Sequence, residues 1–259
     1  MENNLIHKRN NLFIILAGIF ITNALLAEMI GVKIFSGEKT FGWDPAHLNI
    51  LGFTMDFNLT AGAVIWPVVF ITTDLINEYF GKPGVKRISY FTAGLIVYAF
   101  VVIFITIRLS PADFWIEGKD ANGNIVNMDL AFNKIFGQGQ RIIIGSLSAF
   151  LIGQLVDVFI FQKLRQMTGS KFLWLRSTGS TLVSQGVDSF VVLYIAFAGV
   201  YPNDQILAIG ITNYMYKFVI AIALTPLIYL GHSWIDRYLG KEYAETMSQQ
   251  AATESRGFF

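Results

Sequence analysis

The chain has 259 residues, of which 54% are hydrophobic and 14% charged, well under the roughly 25% charged of soluble domains, so this is the composition of a membrane protein. A net charge of +1 with no concentrated basic stretch excludes a nucleic-acid binder. The absence of cysteine excludes disulfides, thiolate catalysis and Cys-ligated zinc or iron–sulfur centres.

A helix needs about 20 largely apolar residues to cross about 30 Å of hydrocarbon, and a closed barrel is the only other fold that satisfies its backbone there. Six segments qualify: Asn11–Val32, Leu59–Phe80, Ile88–Leu109, Ile142–Gln162, Thr178–Val200 and Gln205–Leu230. None shows the ten-residue alternation of barrel strands. The first follows His7, Lys8 and Arg9 as a signal peptide would, but it is too long and no small-residue cleavage site follows, so it is read as a retained helix. The expected fold class is an all-α membrane protein of six transmembrane helices. Its parts are a cytoplasmic N-terminus (1–10), a single six-helix domain (11–235) and a cytoplasmic tail (236–259) that is polar and expected to fray. The long stretches Gly37–Asn58 and Ser110–Gln140 are read as solvated outer connections, the second with a short amphipathic helix near Leu130–Phe136. A mobile lid is the alternative reading of either.

Orientation follows the placement of Lys and Arg. Twelve lie on the side that holds the N-terminus, the 81–87 loop (Lys82, Lys86, Arg87), the 163–177 loop (Lys163, Arg165, Lys171, Arg176) and the tail through Arg256. Six lie on the other side, which also carries most of the soluble acid, Asp120 among it. Both termini are therefore expected in the cytoplasm. His7, His47 and His232 are expected at or beyond helix ends, which leaves neither a metal centre nor any cofactor to expect.

Hydropathy does not account for Glu28, Asp74, Glu78, Asp157 and Asp188, nor for Asn23, Asn77, Gln154, Gln185, Asn213 and Lys217. An ionisable group near the bilayer centre costs about 2.5–3.5 kcal/mol on insertion scales, so several of them mark a functional path. Glu78 has a plainer reading as a group that snorkels to the surface beside Lys82, and Glu28 as an interfacial partner of Lys33. At about 1.5 Å per residue, Asp74 and Asp157 lie roughly 10 Å from the cytoplasmic boundary, and Asp188 and Lys217 lie near the midplane. An acid and a base at one depth are each other's cheapest partners, so Lys217 is expected close to Asp188 or Asp157.

"GQLVDVF" (153–159) and "SQGVDSF" (184–190) repeat the pattern Q-x-V-D-x-F on consecutive segments that cross in opposite directions. Gln and Asp three apart share a helical face. Antiparallel packing would bring Gln154, Asp157, Gln185 and Asp188 to one seam, and the echo suggests an inverted repeat around the fourth and fifth helices, a common plan of secondary transporters.

The stretches "IWPVVFITTDLINEYFG" (65–81), "SAFLIGQLVDVFIFQKLR" (148–165), "RSTGSTLVSQGVDSFVVLYIAF" (176–197) and "NYMYKFVIAIALTPLIY" (213–229) resemble the bacterial queuosine precursor transporters, also called the vitamin uptake transporter family. The resemblance covers nearly all of residues 11–235. It implies a six-helix protein of the bacterial inner membrane, not an enzyme, that imports 7-cyano- or 7-aminomethyl-7-deazaguanine for salvage into tRNA queuosine. Such a base offers N–H groups that a carboxylate accepts, a carbonyl that Gln, Asn or Lys can meet, and a flat face for aromatic stacking. Asp157 and Asp188 are assigned to the base edge, Gln154 and Gln185 to orientation, and Lys217 to counter-ion or carbonyl donor. Asp74, Asn77 and Glu78 form the inner end of the path, and Trp66 and Asn213 complete the substrate set. The partners implied are the 7-deazaguanine and the lipid bilayer; a homo-oligomer is left open. Two other readings stand beside this one, a substrate-binding subunit of a multi-component vitamin importer and a membrane scaffold that transports nothing. No P-loop is present, and the Y-D and G-x-G-D patterns of intramembrane aspartyl proteases are absent.

Overall fold

The structure is a computed structural model that describes residues 2–254 apart from 120, 138 and 170; Asp120 and Arg256, counted above, lie outside the described residues. In chain order, α1 (Glu2–Ile30) is followed by β1 (Ile34–Ser36), α2 (Gly37–Phe41), β2 (Leu48–Ile50), β3 (Phe53–Met55), β4 (Asn58–Thr60) and a 3-10 turn at Ala61–Val64. Then come α3 (Trp66–Thr106), α4 (Asp113–Ile116), β5 (Glu117–Lys119), β6 (Ile125–Asn127), α5 (Met128–Phe136), α6 (Gln140–Thr168), α7 (Leu173–Phe197), α8 (Asn203–Ala223), α9 (Thr225–Leu239) and α10 (Lys241–Glu254). Five of the described stretches are long and apolar enough to cross a membrane: α1, α3, the stretch Met128–Thr168 that ends in α6, α7 and α8. Large apolar side chains such as Ile14, Phe91, Ile144 and Val219 point outward, as lipid-facing surfaces require and water-facing ones do not.

The sequence pattern suggests separate spans over 59–80 and 88–109. In the structure two helices meet within α3 (66–106) at Gly81, whose φ of 65° and ψ of −171° are non-helical, so the chain divides between the two expected segments but without a loop from 82 to 87. Only glycine reaches that region at little cost. Pro83 falls two residues later, in the first turn of the helix that restarts there, where its missing N–H costs nothing. Lys82, Lys86 and Arg87 thus sit on a helix rather than in a loop. Pro226 does the same at the sixth expected segment, which divides into α8 and α9 at Leu224.

Two further corrections concern the ends. As far as Glu254 the tail is helical rather than frayed: α10 packs along α3 and buries Ala244, Met247 and Ala251, positions that fall on one helical face. The 163–177 stretch is not a loop: α6 continues through Arg165 to Thr168, α7 starts at Leu173, and Arg165 and Arg176 are buried. His7 lies within α1 and His232 within α9, not beyond helix ends. The amphipathic helix near 130–136 is present as α5.

The core forms because α1 presents Leu12, Leu16, Phe20 and Ala24 at four-residue spacing, all buried against Val69 and Ile76 of α3 and Phe150 and Val158 of α6. α6 and α7 pack antiparallel: Gly145 meets Val192, Gly153 meets Asp188, and Gly179 meets Leu164. On the side away from Gly81, β1 pairs antiparallel with β4 and joins the end of α1 to the start of α3. There Glu38 is buried; its desolvation would raise its pKa, but the Phe57 N–H at 2.7 Å and the Ser36 hydroxyl at 3.0 Å hold the carboxyl below its usual range. The 3-10 turn lies so close to α1 that a Cβ on Gly62 would stand 2.6 Å from the Ala27 carbonyl oxygen. Backbone cannot move aside as a flexible side chain can, so Gly62→Ala is expected to destabilise the protein by about 1–3 kcal/mol, read as a lowered melting temperature in detergent.

Candidate functional site

Three helices build a polar cleft inside the bundle. α3 supplies Trp66, Phe70 and Thr73; α6 supplies Phe150, Gly153, Gln154 and Asp157; α7 supplies Thr181, Ser184, Gln185 and Asp188. Gln154 and Asp157 share the inward face of α6, and Gln185 and Asp188 that of α7, because a spacing of three keeps each pair within one turn. Antiparallel packing then brings the two faces together, as the repeated Q-x-V-D-x-F pattern suggests. Asp157 accepts from the Ser184 hydroxyl at 3.2 Å while its second oxygen has no hydrogen-bond partner among the described residues, and the Thr73 hydroxyl lies 3.4 Å from the Gln154 carbonyl oxygen. One wall is aromatic: Trp66 stacks on Phe70 with centroids 5.9 Å apart and planes at 18°, and tilts against Phe150 at the same distance.

Lys217 of α8 reaches Asp188 at 2.5 Å, the pairing expected from their common depth. Both side chains keep about a fifth of their surface exposed, so the pair borders the cleft rather than being sealed in the core. Lys217, Trp66 and Phe70 also line a smaller, apolar hollow against α8. Asn213, one turn before Lys217, is half-buried and lines neither space. Elsewhere on these helices Phe190 packs on Gly210, Tyr214 donates its hydroxyl to the Leu182 carbonyl at 3.1 Å and Phe159 faces outward, and the rings that line the cleft are Trp66, Phe70 and Phe150. Glu28, read above as a possible partner of Lys33, instead accepts from the Ser146 hydroxyl of α6 at 2.6 Å.

Asp74, Asn77 and Glu78 do not line this cleft. They continue from it along α3 toward the Gly81 break, each held by a different contact. Asp74 accepts from the Ser177 hydroxyl, and the Asn77 carbonyl oxygen accepts from the Gln162 amide at 2.6 Å. Glu78 does not snorkel to Lys82: Arg176 grips it with two hydrogen bonds, Nε to Oε2 at 3.0 Å and Nη2 to Oε1 at 2.9 Å, and Arg165 stands 3.4 Å away. Ser248 of α10 donates to the same carboxylate at 2.9 Å.

Sequence reasoning missed Ser184, Thr181 and Thr73 in the cleft and Arg165, Arg176 and Ser248 at its inner end. A signal existed for most of them. Ser177, Thr181, Ser184 and Asp188 recur at three- and four-residue spacing, which extends one polar stripe down α7 from the aspartate. Arg165 lies eight residues after Asp157 on α6, on the same stripe. Assigning both arginines to a loop hid this. Ser248 carries no such mark.

In its present form the cleft leaves about 20 Å³ for the centre of a water-sized sphere, room for about one water and far below the roughly 300 Å³ at which ligand pockets start. The helices are closed around the polar groups.

Comparison with known proteins places the chain. Residues 60–231 match the family described as "Putative vitamin uptake transporter". The chain is 31% identical over 193 residues to the "Probable queuosine precursor transporter" of Bacillus subtilis, covering 73% of this chain and 80% of that protein. It is 31% identical over 185 residues to the Haemophilus influenzae protein of the same name, covering 68% and 70%. It is 30% identical over 178 residues to the "Queuosine precursor transporter" of Escherichia coli, covering 68% and 71%. No solved structure matches it significantly. A polar cleft inside a bundle of membrane-length helices, with a family match across most of the bundle, leads to one conclusion: the chain belongs to the vitamin uptake transporter family.

Proposed function

We propose that this protein imports a queuosine precursor, 7-cyano- or 7-aminomethyl-7-deazaguanine, across the bacterial inner membrane. The observation that carries the reading is the convergence of Gln154, Asp157, Gln185 and Asp188 on one cleft with an aromatic wall. The bare oxygen of Asp157 accepts the N–H groups of the base edge, the two glutamines orient it, Trp66 and Phe70 stack on its face, and the Asp188–Lys217 pair supplies charge at the rim. The relatives' names give a queuosine precursor; the two deazaguanines and the role of each residue are part of this proposal.

In this reading the chain crosses the membrane six times. A 41-residue helix would be about 60 Å long at 1.5 Å per residue, twice the hydrocarbon thickness, so α3 serves as two spans that meet at Gly81. Both termini and Gly81 then face the cytoplasm, where Lys82, Lys86 and Arg87 match the positive-inside bias. α6 and α7 form the inverted pair around the site, and Asp74, Asn77 and Glu78 line the inner exit. The closed cleft is an occluded state that opens to each side in turn, and no residue acts as a catalyst.

Uptake of labelled 7-cyano- and 7-aminomethyl-7-deazaguanine into cells that cannot make them tests this, comparing the natural chain with Asp157→Asn at equal membrane expression. The natural chain is expected to restore uptake, and Asp157→Asn to lower it at least tenfold, because an amide donates where the carboxylate accepted. Uptake of neither base by the natural chain would remove the substrate assignment. Copurification of an ATPase would then favour the subunit of a multi-component importer.

A further inference from the structure

α10 is an unusual attachment for a transport domain. It lies beyond the family-matched residues 60–231, and its outer surface is polar, with Glu242, Glu245, Gln249 and Gln250 exposed or partly so. The face it buries is small: two alanines and one methionine, Ala244, Met247 and Ala251. Tyr243 adds a partly buried ring against the same core, and the polar part of the attachment converges on one residue. The Ser248 hydroxyl donates to Glu78 Oε1 at 2.9 Å, while its carbonyl and hydroxyl oxygens each accept from Arg165 Nη2 at 2.5 Å. Arg165 also donates Nη1 to the Glu78 carbonyl at 2.9 Å, and Arg176 of α7 holds the far side of the same carboxylate. Glu78 therefore joins α3, α6, α7 and α10 at a buried point three residues before the Gly81 break.

We propose that α10 is a detachable latch on the inner gate, with Ser248 as its catch, and that its release lets α3, α6 and α7 part at the Gly81 end. The latch rests on the transport reading above for its purpose but not for its geometry. With Ser248 seated, Glu78 and Arg165 are fully engaged and the route between Gly81 and the cleft is shut. With Ser248 withdrawn, Arg165 loses two acceptors and Glu78 one donor, and both groups gain by turning to water. Docking of α10 sets how often the inner side opens, whatever the load in the cleft. Ser248 is a positioning residue; it touches no substrate.

The chain contains no cysteine, so one introduced thiol reports opening directly. Ser180→Cys is near-isosteric, fully buried, and lies one turn beyond Arg176 toward the cleft. A membrane-impermeant maleimide is added to inside-out vesicles and, separately, to intact cells, for the otherwise natural chain, Ser248→Ala, Ser248→Thr and a chain ended after Gly240. Labelling is expected to be slow in the natural chain, at least fivefold faster in Ser248→Ala and in the shortened chain from the inner face only, and near the natural rate in Ser248→Thr, which keeps the hydroxyl. Equal rates in the natural chain and Ser248→Ala overturn the latch, as does acceleration from both faces together with a lowered melting temperature, which marks general loosening. If the shortened chain fails to reach the membrane, the Ala and Thr variants still decide. Uptake assayed in parallel separates the two ideas: a labelling response without base uptake defeats the substrate assignment alone, and uptake without a labelling response defeats the latch alone.

Discussion

Arg176→Met is expected to destabilise the protein by about 3–5 kcal/mol, the usual cost of leaving a buried charge without its partner. Arg176 is 2% exposed and makes four hydrogen bonds, two to the Glu78 carboxylate and two through Nη1 to the carbonyls of Gly169 at 3.3 Å and Lys171 at 3.0 Å. The side chain thus neutralises a carboxylate of α3 and also ties the turn between α6 and α7. Methionine fills most of the volume and replaces none of these bonds. Arg165 remains 3.4 Å from Glu78, which places the cost at the lower end of the range. In a chain of this size each kcal/mol moves the midpoint by about 2–4 °C, so thermal unfolding in detergent should fall by roughly 10 °C. Adding Glu78→Gln to Arg176→Met takes the counter-ion from the buried Arg165 and should deepen the loss, and Glu78→Gln alone leaves two arginines facing each other. A drop under about 2 °C for Arg176→Met would mean that water already reaches the cluster.

Lys217→Met should lower uptake of the deazaguanine more than tenfold. Lys217 and Asp188 are 2.5 Å apart and each about one-fifth exposed, so their attraction is only partly screened and removing the base leaves Asp188 repelled by its apolar walls. Asp188→Asn should cost a similar factor. The informative variant is the double one. If the pair acts as a unit, Asp188→Asn with Lys217→Met should be no worse than the worse single change, a coupling of about 1–3 kcal/mol. Multiplying losses would assign the two side chains separate tasks, for example the lysine to the base carbonyl and the aspartate to an N–H.

Depth and face, two quantities that helical geometry fixes, were the parts of this site that could be read from the chain. The Q-x-V-D-x-F pair put four polar side chains on facing stripes, and the cleft contains all four. Equal depth put Lys217 beside Asp188. What stayed hidden depended on where helices end. Charge in a sequence points to solvent and so to a loop at Arg165 and Arg176, whereas both are buried because Glu78 pairs with each of them. The break expected over 81–87 is confined to Gly81, and the helix restarts through Pro83 so that the lysines lie on it. Asn213 carries polarity at depth, yet it lines neither the cleft nor the apolar hollow beside it. The docking of α10 had no sequence signature, since three small apolar residues in a polar helix occur in many tails that do not pack.

The pairing of β1 with β4 and the seating of Gly62 on Ala27 have a mechanical consequence. They join the ends of α1 and α3 that lie away from Gly81 into one lever arm, while the interlocked faces of α6 and α7 make a second. The cleft is the seam between these arms, and its polar groups are divided across it, Thr73 and the aromatic wall on one side and the two Gln–Asp pairs on the other. Neither arm can bend at its outer end without tearing backbone pairing, so the compliant parts of the machine are at the opposite end, where α3 has its glycine joint. In the transport reading proposed above, motion there is a pivot about the β1–β4 end, and a small angle at that fulcrum becomes a wide separation at the Gly81 end.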